Sequence, residues 1–373
     1  MGTTTGQRVT TAVVAATVAG MLAACAGDEP SAAGATGSES TASPTASTSA
    51  QSQASTSPEP AAAVSTTVAT GAAEGTAAVG RVMKTWKVPG AFHVAVGLGS
   101  VWVTVPRRLE VVRLDRRTGA VRATVAIGGP GAQNTAGEPT FVAVGAGAVW
   151  ASSPTEDTVV RIDPSDDTVT DRIAVGDDPW QLAAEPDAVW VTNHLGVTSA
   201  SVSRIDPVTR DVVATVPMGT PPQGPGHVAV GHGSAWVNVD SDDTVVEVDP
   251  RTNEVVTTVP VDGACGGVDV GRSVWVAARI CGSTVTQVDP ATGDVLTVTE
   301  LAGLTLGVAE LAGSGWVARP VGLRGRLTRI DASTGEAVGS VPLPHLVAAV
   351  TAAAGDLWAV GGDRVSRVAP RHD

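Results

Sequence analysis

Lysine is nearly absent from this chain. Lys84 and Lys87 are its only lysines, which leaves little room for Schiff-base chemistry. Basic charge is scarce in general. Lys and Arg total 24 against 37 Asp and Glu, a formal net charge of −13, and no basic stripe runs through the sequence. The electrostatic footprint of a nucleic-acid binder is missing, so no nucleic acid is expected as a partner. Also missing are a GxSxG elbow, an HExxH zinc helix, a CxxC pair and an EF-hand loop. Gly-x-Gly pairs do occur, at Gly97/Gly99, Gly145/Gly147 and Gly231/Gly233. No helical pattern follows them, so they read as strand-to-strand turns and not as phosphate loops. Asp166-Asp167 and Asp240-Ser-Asp242-Asp243 read as solvated acidic turns rather than calcium loops.

Cysteine occurs three times, at Cys25, Cys265 and Cys281. Gln7 and Arg8 precede an apolar run over 9–22. The run is too short to span a bilayer comfortably and reads as the h-region of a signal peptide. It ends Leu22-Ala23-Ala24-Cys25, which resembles the bacterial lipobox. That resemblance implies lipidation of Cys25, anchoring the protein to the outer face of the cell membrane. The alternative is an ordinary secretory signal with an accidental cysteine; both export the chain. Residues 26–80 are rich in Ala, Ser, Thr, Pro and Gly. They bury too little apolar surface to offset their ordering entropy, so a disordered tether is expected over 25–80, after a signal peptide over 1–24. Residues 81–373 hold 32 acidic and 23 basic residues and suffice for one large all-β domain.

That domain is a repeat. The stretch 142–176 reads as four short strands: 142–144, a Gly145-Ala-Gly147 turn, 148–152 with Trp150, 158–163, an Asp163-Pro164 turn, and 168–175. Valine and isoleucine mark the strands; Gly, Asp and Pro mark the turns. Aligned on tryptophan, the unit recurs at Trp102, Trp150, Trp190, Trp236, Trp275, Trp316 and Trp358, at spacings of 39 to 48 residues. A second marker keeps phase with it: Asp115, Asp163, Asp206, Asp249, Asp289 and Asp331. A period of about 40 residues with four antiparallel strands per unit predicts a seven-bladed β-propeller. The seventh unit stops after its third strand. Thr85-Trp86-Lys87-Val88 aligns with the outer strands at 215–218 and 258–261, so an N-terminal strand is expected to close the ring.

Up-and-down topology separates two faces. Short turns share one; the irregular second-to-third and blade-to-blade loops share the other, where a site is expected at the channel mouth. The repeat tryptophans read as wedges between sheets. Trp180 breaks the pattern beside Pro179 and is a candidate binding platform. Nine residues before each repeat tryptophan, at the start of the innermost strand, stand His93, Phe141, Gln181, His227, Gly266, Gly307 and Ala349. His93 and His227 in that ring, with His194 and His345 nearby, are candidates to bind a ligand, hold a metal or move protons, or else surface histidines capping strand ends. Asp269 and Glu310 replace the Val or Ala found six residues before tryptophan in the other blades. Channel water or a divalent cation, Mg or Ca, would satisfy them. Cys265 precedes the inner strand of the fifth blade and Cys281 follows its second strand. The far ends of two antiparallel strands meet, so a disulfide is expected there.

The repeat V-A-V-G-x-G-x-V-W-V followed by V-x-R-I-D-P-x-T resembles the YVTN-type surface propellers and the streptogramin (virginiamycin B) lyases. The lyase resemblance implies magnesium-assisted opening of a lactone by elimination, with a histidine at the start of an inner strand. Gly226-His227-Val228 fits that place, and His227 is the candidate catalytic residue. The second histidine of that pattern, one blade later, is Gly266 here. The resulting expectation is a lipid-anchored monomer that binds a small molecule or an envelope protein on its loop face. A lyase or hydrolase using His227 is the alternative.

Overall fold

The computed structural model describes residues 78–135, 137–194, 200–219, 224–278 and 282–371, and the backbone of 67–69. Cys25, the signal segment and most of the tether lie outside the described residues.

Seven four-stranded antiparallel sheets follow one another along the chain. The second blade is representative: Val142–Gly145, Ala148–Ser153, Thr158–Asp163 and Thr168–Ala174, from innermost to outermost strand. Its β-branched residues are the types that suit a pleated, half-buried surface. The third strand ends on aspartate for a local reason. Asp163 Oδ1 accepts the Ser165 N–H at 2.8 Å, and Asp115, Asp206, Asp249, Asp289 and Asp331 repeat the contact at 2.7–3.0 Å. Each carboxylate thus folds the turn into the outer strand.

Blades must taper toward the axis, and the tryptophans fill the wedge-shaped gaps. All seven are at most 1% exposed. Trp102 packs into Val142, Val149, Ala151 and Val160 of the next blade. Trp358 of the seventh blade packs into Val94, Val101 and Val103 of the first. Across the sheet, Trp102, Trp150, Trp190 and Trp358 sit opposite Arg113, Arg161, Arg204 and Arg367. Those guanidinium groups lie 5.0–5.8 Å above the indole centroids, adding cation–π attraction to the packing.

The ring closes as the repeat predicts. Gly80–Lys87 pairs antiparallel with Arg364–Pro370 as the outer strand of the seventh blade. Trp86 does more than fill that strand. Its ring stacks on Trp358 at 5.8 Å and 12°, and its Nε1–H donates to the Thr118 carbonyl of the first blade at 2.8 Å. Gly119, at φ +74°, leaves the space the indole occupies; a Cβ there would fall 1.8 Å from the ring.

One feature of the tether was not expected. Thr67–Ala69 forms a fifth strand on blade five, parallel to its outer strand Val295–Glu300.

Deleting residues 81–89 is expected to lower the melting temperature by at least about 10 °C, because it exposes the third strand of the seventh blade and removes Trp86. Replacing Trp86 alone by Ala should cost about 2–4 kcal/mol. Melting temperatures equal to the parent in differential scanning calorimetry would show that the ring does not depend on this strand.

Candidate functional site

At the start of the innermost strands, blades one to four differ from blades five to seven. The four large residues His93, Phe141, Gln181 and His227 each have their backbone N–H held by a side chain two residues after the repeat tryptophan. His93 N donates to Thr104 Oγ1 at 3.1 Å, Phe141 N to Ser152 Oγ at 2.9 Å, and Gln181 N to Thr192 Oγ1 at 3.1 Å. His227 N donates to Asn238 Oδ1. Three of these side chains also donate onward to the carbonyl before or near the corresponding residue of the next blade. Thr104 Oγ1 reaches Thr140 O at 2.8 Å, Thr192 Oγ1 reaches Gly226 O at 3.0 Å, and Asn238 Nδ2 reaches Ala264 O at 2.6 Å. A polar belt therefore ties neighbouring blades around one mouth of the channel. In blades five to seven the same second-strand position is Ala277, Ala318 and Val360, and the inner position is Gly266, Gly307 or Ala349.

The belt carries an aromatic crescent. Phe141 is buried and lies at its centre, with ring centroids 5.5 Å from Phe92, 5.0 Å from His93, 5.4 Å from Trp180 and 6.0 Å from His227. Trp180 continues it to His194 at 4.8 Å. Trp180 is 7% exposed, so it faces its neighbours' rings and is no open platform. Its Nε1 and the Oε1 of Gln181 are buried and make no hydrogen bond among the described residues. His93, Gln181 and His227 keep part of their surface open. His93 Nδ1 accepts the Val142 N–H at 3.4 Å, so the neutral ring carries its proton on Nε2 and offers a donor. Burial pulls the His93 pKa down to about 4, against a small upward push from that hydrogen bond. His194, at the end of the second strand of blade three, donates through Nδ1 to Pro225 O at 3.3 Å. Ahead of Phe141, the Oδ1 of buried Asn134 accepts the Gly137 and Glu138 N–H groups at 2.9 and 2.8 Å.

The structure thus brings His93, Trp180, His194 and His227 together, and adds Phe92, Phe141 and Gln181. His345 does not join them. It is buried in the seventh blade, with Nε2 2.8 Å from Ser366 Oγ and Nδ1 2.6 Å from Leu346 O. Ser366 Oγ in turn lies 2.8 Å from Thr85 Oγ1 of the closing strand. His345 therefore belongs to the ring closure.

Asp269 and Glu310 adjoin one another toward the short-turn end of the channel, away from the crescent. Glu310 caps the hairpin turn of blade five. Its Oε1 accepts Arg272 N–H at 2.8 Å, and its Oε2 accepts Ser273 N–H at 3.1 Å and Trp275 Nε1–H at 2.9 Å. Glu310 N donates to Asp269 Oδ2 at 2.6 Å. Burial pushes the Asp269 pKa up to about 6. Protein donors satisfy Glu310 without a cation, and the described residues hold no cluster of three or more His, Cys, Asp or Glu able to bind a metal. Cys265 is buried, with its sulfur 3.0 Å from Ala278 O, at the strand end where the pairing was expected. Cys281 lies outside the described residues.

The Phe141 centre and the polar belt went unread in the sequence, although a signal existed. Thr104, Ser152, Thr192 and Asn238 occupy one repeat position, and polarity there accompanies bulk at the inner position.

No family model matches this sequence, and no curated protein matches it. Solved structures do. A streptogramin B lyase superposes with a TM-score of 0.62 at 11% identity, covering 77% of this chain and 98% of that one. Kuenenia stuttgartiensis hydrazine synthase gives 0.62 at 16%, covering 78% and 97%. The RRP9 WD40 repeats give 0.63 at 11%, covering 80% and 99%. At such identities the likeness is one of fold, and it agrees with the seven-bladed propeller.

Two outcomes are expected. Thr104→Val and Thr192→Val should each lower stability by about 1–3 kcal/mol in urea denaturation, since each leaves a buried N–H and a carbonyl without their partner. The His93 ring resists protonation in the folded state, while the unfolded state takes up a proton below pH 6.5. The His93 contribution is therefore complete above about pH 6.5 and is lost as pH falls toward 4. His345, lowered in the same direction by burial, adds to that loss. Asp269, whose pKa is raised, works oppositely below about pH 6. His93→Asn should consequently flatten the acid loss between pH 7 and 5 by about 1–2 kcal/mol, and Asp269→Asn should steepen it. An unchanged pH profile in the His93 variant would contradict the burial of that ring.

Proposed function

We propose that this protein is a lipid-anchored, extracytoplasmic binding module that seats a small molecule at the loop-face mouth of the propeller channel. The observation that carries the reading is the crescent of Phe92, His93, Phe141, Trp180, His194 and His227 on a rigid polar belt confined to blades one to four. Buried stacked rings held by backbone clamps form a preorganised floor beneath the partly exposed His93, Gln181 and His227, suited to a planar or apolar group. The partly exposed His93, Gln181 and His227 supply polar contacts at the rim, among them the neutral His93 Nε2–H donor. A neutral His93 at pH 7 suits an uncharged ligand. The domain acts as a monomer held near the membrane by Cys25, and the Cys265–Cys281 disulfide braces the rim beside the crescent.

The second reading is a lyase that uses His227 as base, with a divalent cation in the channel. The fold likeness to a streptogramin B lyase and the place of His227 in the crescent favour it. The departure at Gly266 favours binding without turnover.

One experiment separates them. The protein is incubated with magnesium and a panel of planar aromatic compounds that includes a streptogramin B, then followed by thermal shift and chromatography. The binding reading expects an upward shift for at least one compound, lost in His93→Ala and Trp180→Leu, with every compound recovered unchanged. Shifts that survive both substitutions would move the site elsewhere. Conversion of the streptogramin that disappears in His227→Ala would establish the lyase. For the anchor, Cys25→Ala should shift the protein out of the membrane fraction or leave an uncleaved precursor. Partitioning like the parent would refute lipidation.

A further inference from the structure

The outer strand of a propeller blade presents a row of unpaired N–H and C=O groups, a template for any extended chain. Six of the seven outer strands here carry a residue that discourages such pairing. Val121–Ala126 holds Arg122 and Thr168–Ala174 holds Arg172. Val212–Pro217, Glu254–Pro260 and Ala337–Leu343 hold Pro217, Pro260 and Pro342 at or near their ends. Gly80–Lys87 holds Arg81, Lys84 and Lys87. Positive charge and proline are the usual defences of a sheet edge. The outer strand of blade five, Val295–Glu300, reads Val-Leu-Thr-Val-Thr-Glu. It has no proline, lysine or arginine, and its one charge is the terminal Glu300.

Among the described residues, this undefended edge is also the one that carries an added strand. Thr67, Val68 and Ala69 lie opposite Thr297, Val298 and Thr299 in a parallel pair. The sequence around them suits the role. Residues 64–70 read Val-Ser-Thr-Thr-Val-Ala-Thr, β-branched at five of seven positions and free of charge, glycine and proline. They stand within a tether otherwise dominated by Ala, Ser, Pro and Gly. Two independent features thus coincide: an edge without guards, and an uncharged β-prone stretch of sequence whose residues 67–69 pair with it.

We propose that the outer edge of blade five is a strand-acceptor site for a short, uncharged, β-branched peptide, and that the chain fills it in cis with residues 64–70. Main-chain hydrogen bonds supply the attraction, as in strand addition to a sheet edge generally. The tether then holds the propeller at two places, through this added strand and through the closing strand of blade seven. The segment ahead of residue 64, and not the whole of 26–80, sets the reach from Cys25.

Hydrogen exchange read by mass spectrometry tests the site. The parent is the full chain with Cys25→Ser, which removes the lipidation point. One variant replaces residues 64–70 by seven Gly and Ser residues, and a second carries Val68→Pro alone. Exchange over 295–300 is expected to be at least tenfold faster in both variants than in the parent. Exchange over 212–217, an edge defended by Pro217, is expected to stay unchanged. A synthetic peptide with the sequence of residues 64–70, at about 1 mM, a concentration comparable to that of a tethered segment, should restore protection over 295–300 in the replacement variant. Equal exchange over 295–300 in parent and variants would overturn the proposal. So would loss of protection that the peptide fails to restore, or a rise over 212–217 of the same size, which would mark general loosening.

Discussion

Everything in this molecule depends on seven indole rings. Flat four-stranded sheets cannot be set around an axis without wedge-shaped gaps between them, and a buried tryptophan is the largest apolar wedge a sequence can supply. Because six of the seven rings pack into the sheet that follows them, those blades have no complete core of their own. The stability of one blade is borrowed from the next, as in other repeat architectures, and only a closed circle leaves none short of a neighbour. The arginines opposite four of the tryptophans use the same rings from the other side, so one residue type serves both the inter-blade core and the polar surface.

Within that frame the symmetry is broken at a single level of the channel. Blades one to four place bulk and polarity at the mouth, whereas blades five and six place glycine. A Cβ on Gly267 would stand 3.0 Å from the Gly307 Cα, so the inner strands of blades five and six approach backbone to backbone. The rings of the crescent therefore face a side of the channel with little side-chain relief. Backbone clamps on one side and close-packed glycine backbone on the other fix the shape of the mouth.

Most of the architecture was legible because its cause is periodic. A tryptophan every 40 residues or so, with an aspartate in phase, carries blade number, strand order and even the origin of the missing strand. The site was half legible. His93 and His227 stood out by sharing one repeat position, yet the belt beneath them hid in plain strand sequence, since Thr104 or Thr192 looks like any β-branched residue until its partner is known. His345 was misplaced because a loop residue ahead of a blade can turn toward the channel or toward the closing strand, and the period does not choose between them. Glu310 makes its hydrogen bonds to the turn of the preceding blade, a contact between repeats that an alignment of repeats cannot display. Thr67–Ala69 was submerged in the average composition of the tether.

The closing strand has a consequence in time. Trp86 and its pairing partner Val365 are separated by nearly the whole domain, so the first strand of the propeller to be synthesised is the last to find its place. At roughly 5–20 residues per second, the chain spends on the order of tens of seconds with Gly80–Lys87 made and its sheet not yet in existence. Until then Trp86 has no ring to stack on, and the first blade has no seventh to lean against. Arg81, Lys84 and Lys87 are spaced along that waiting strand, and positive charge on an edge discourages pairing with other chains. The charges that guard the outer edge of the finished blade are thus already in place while that strand is still without its partner.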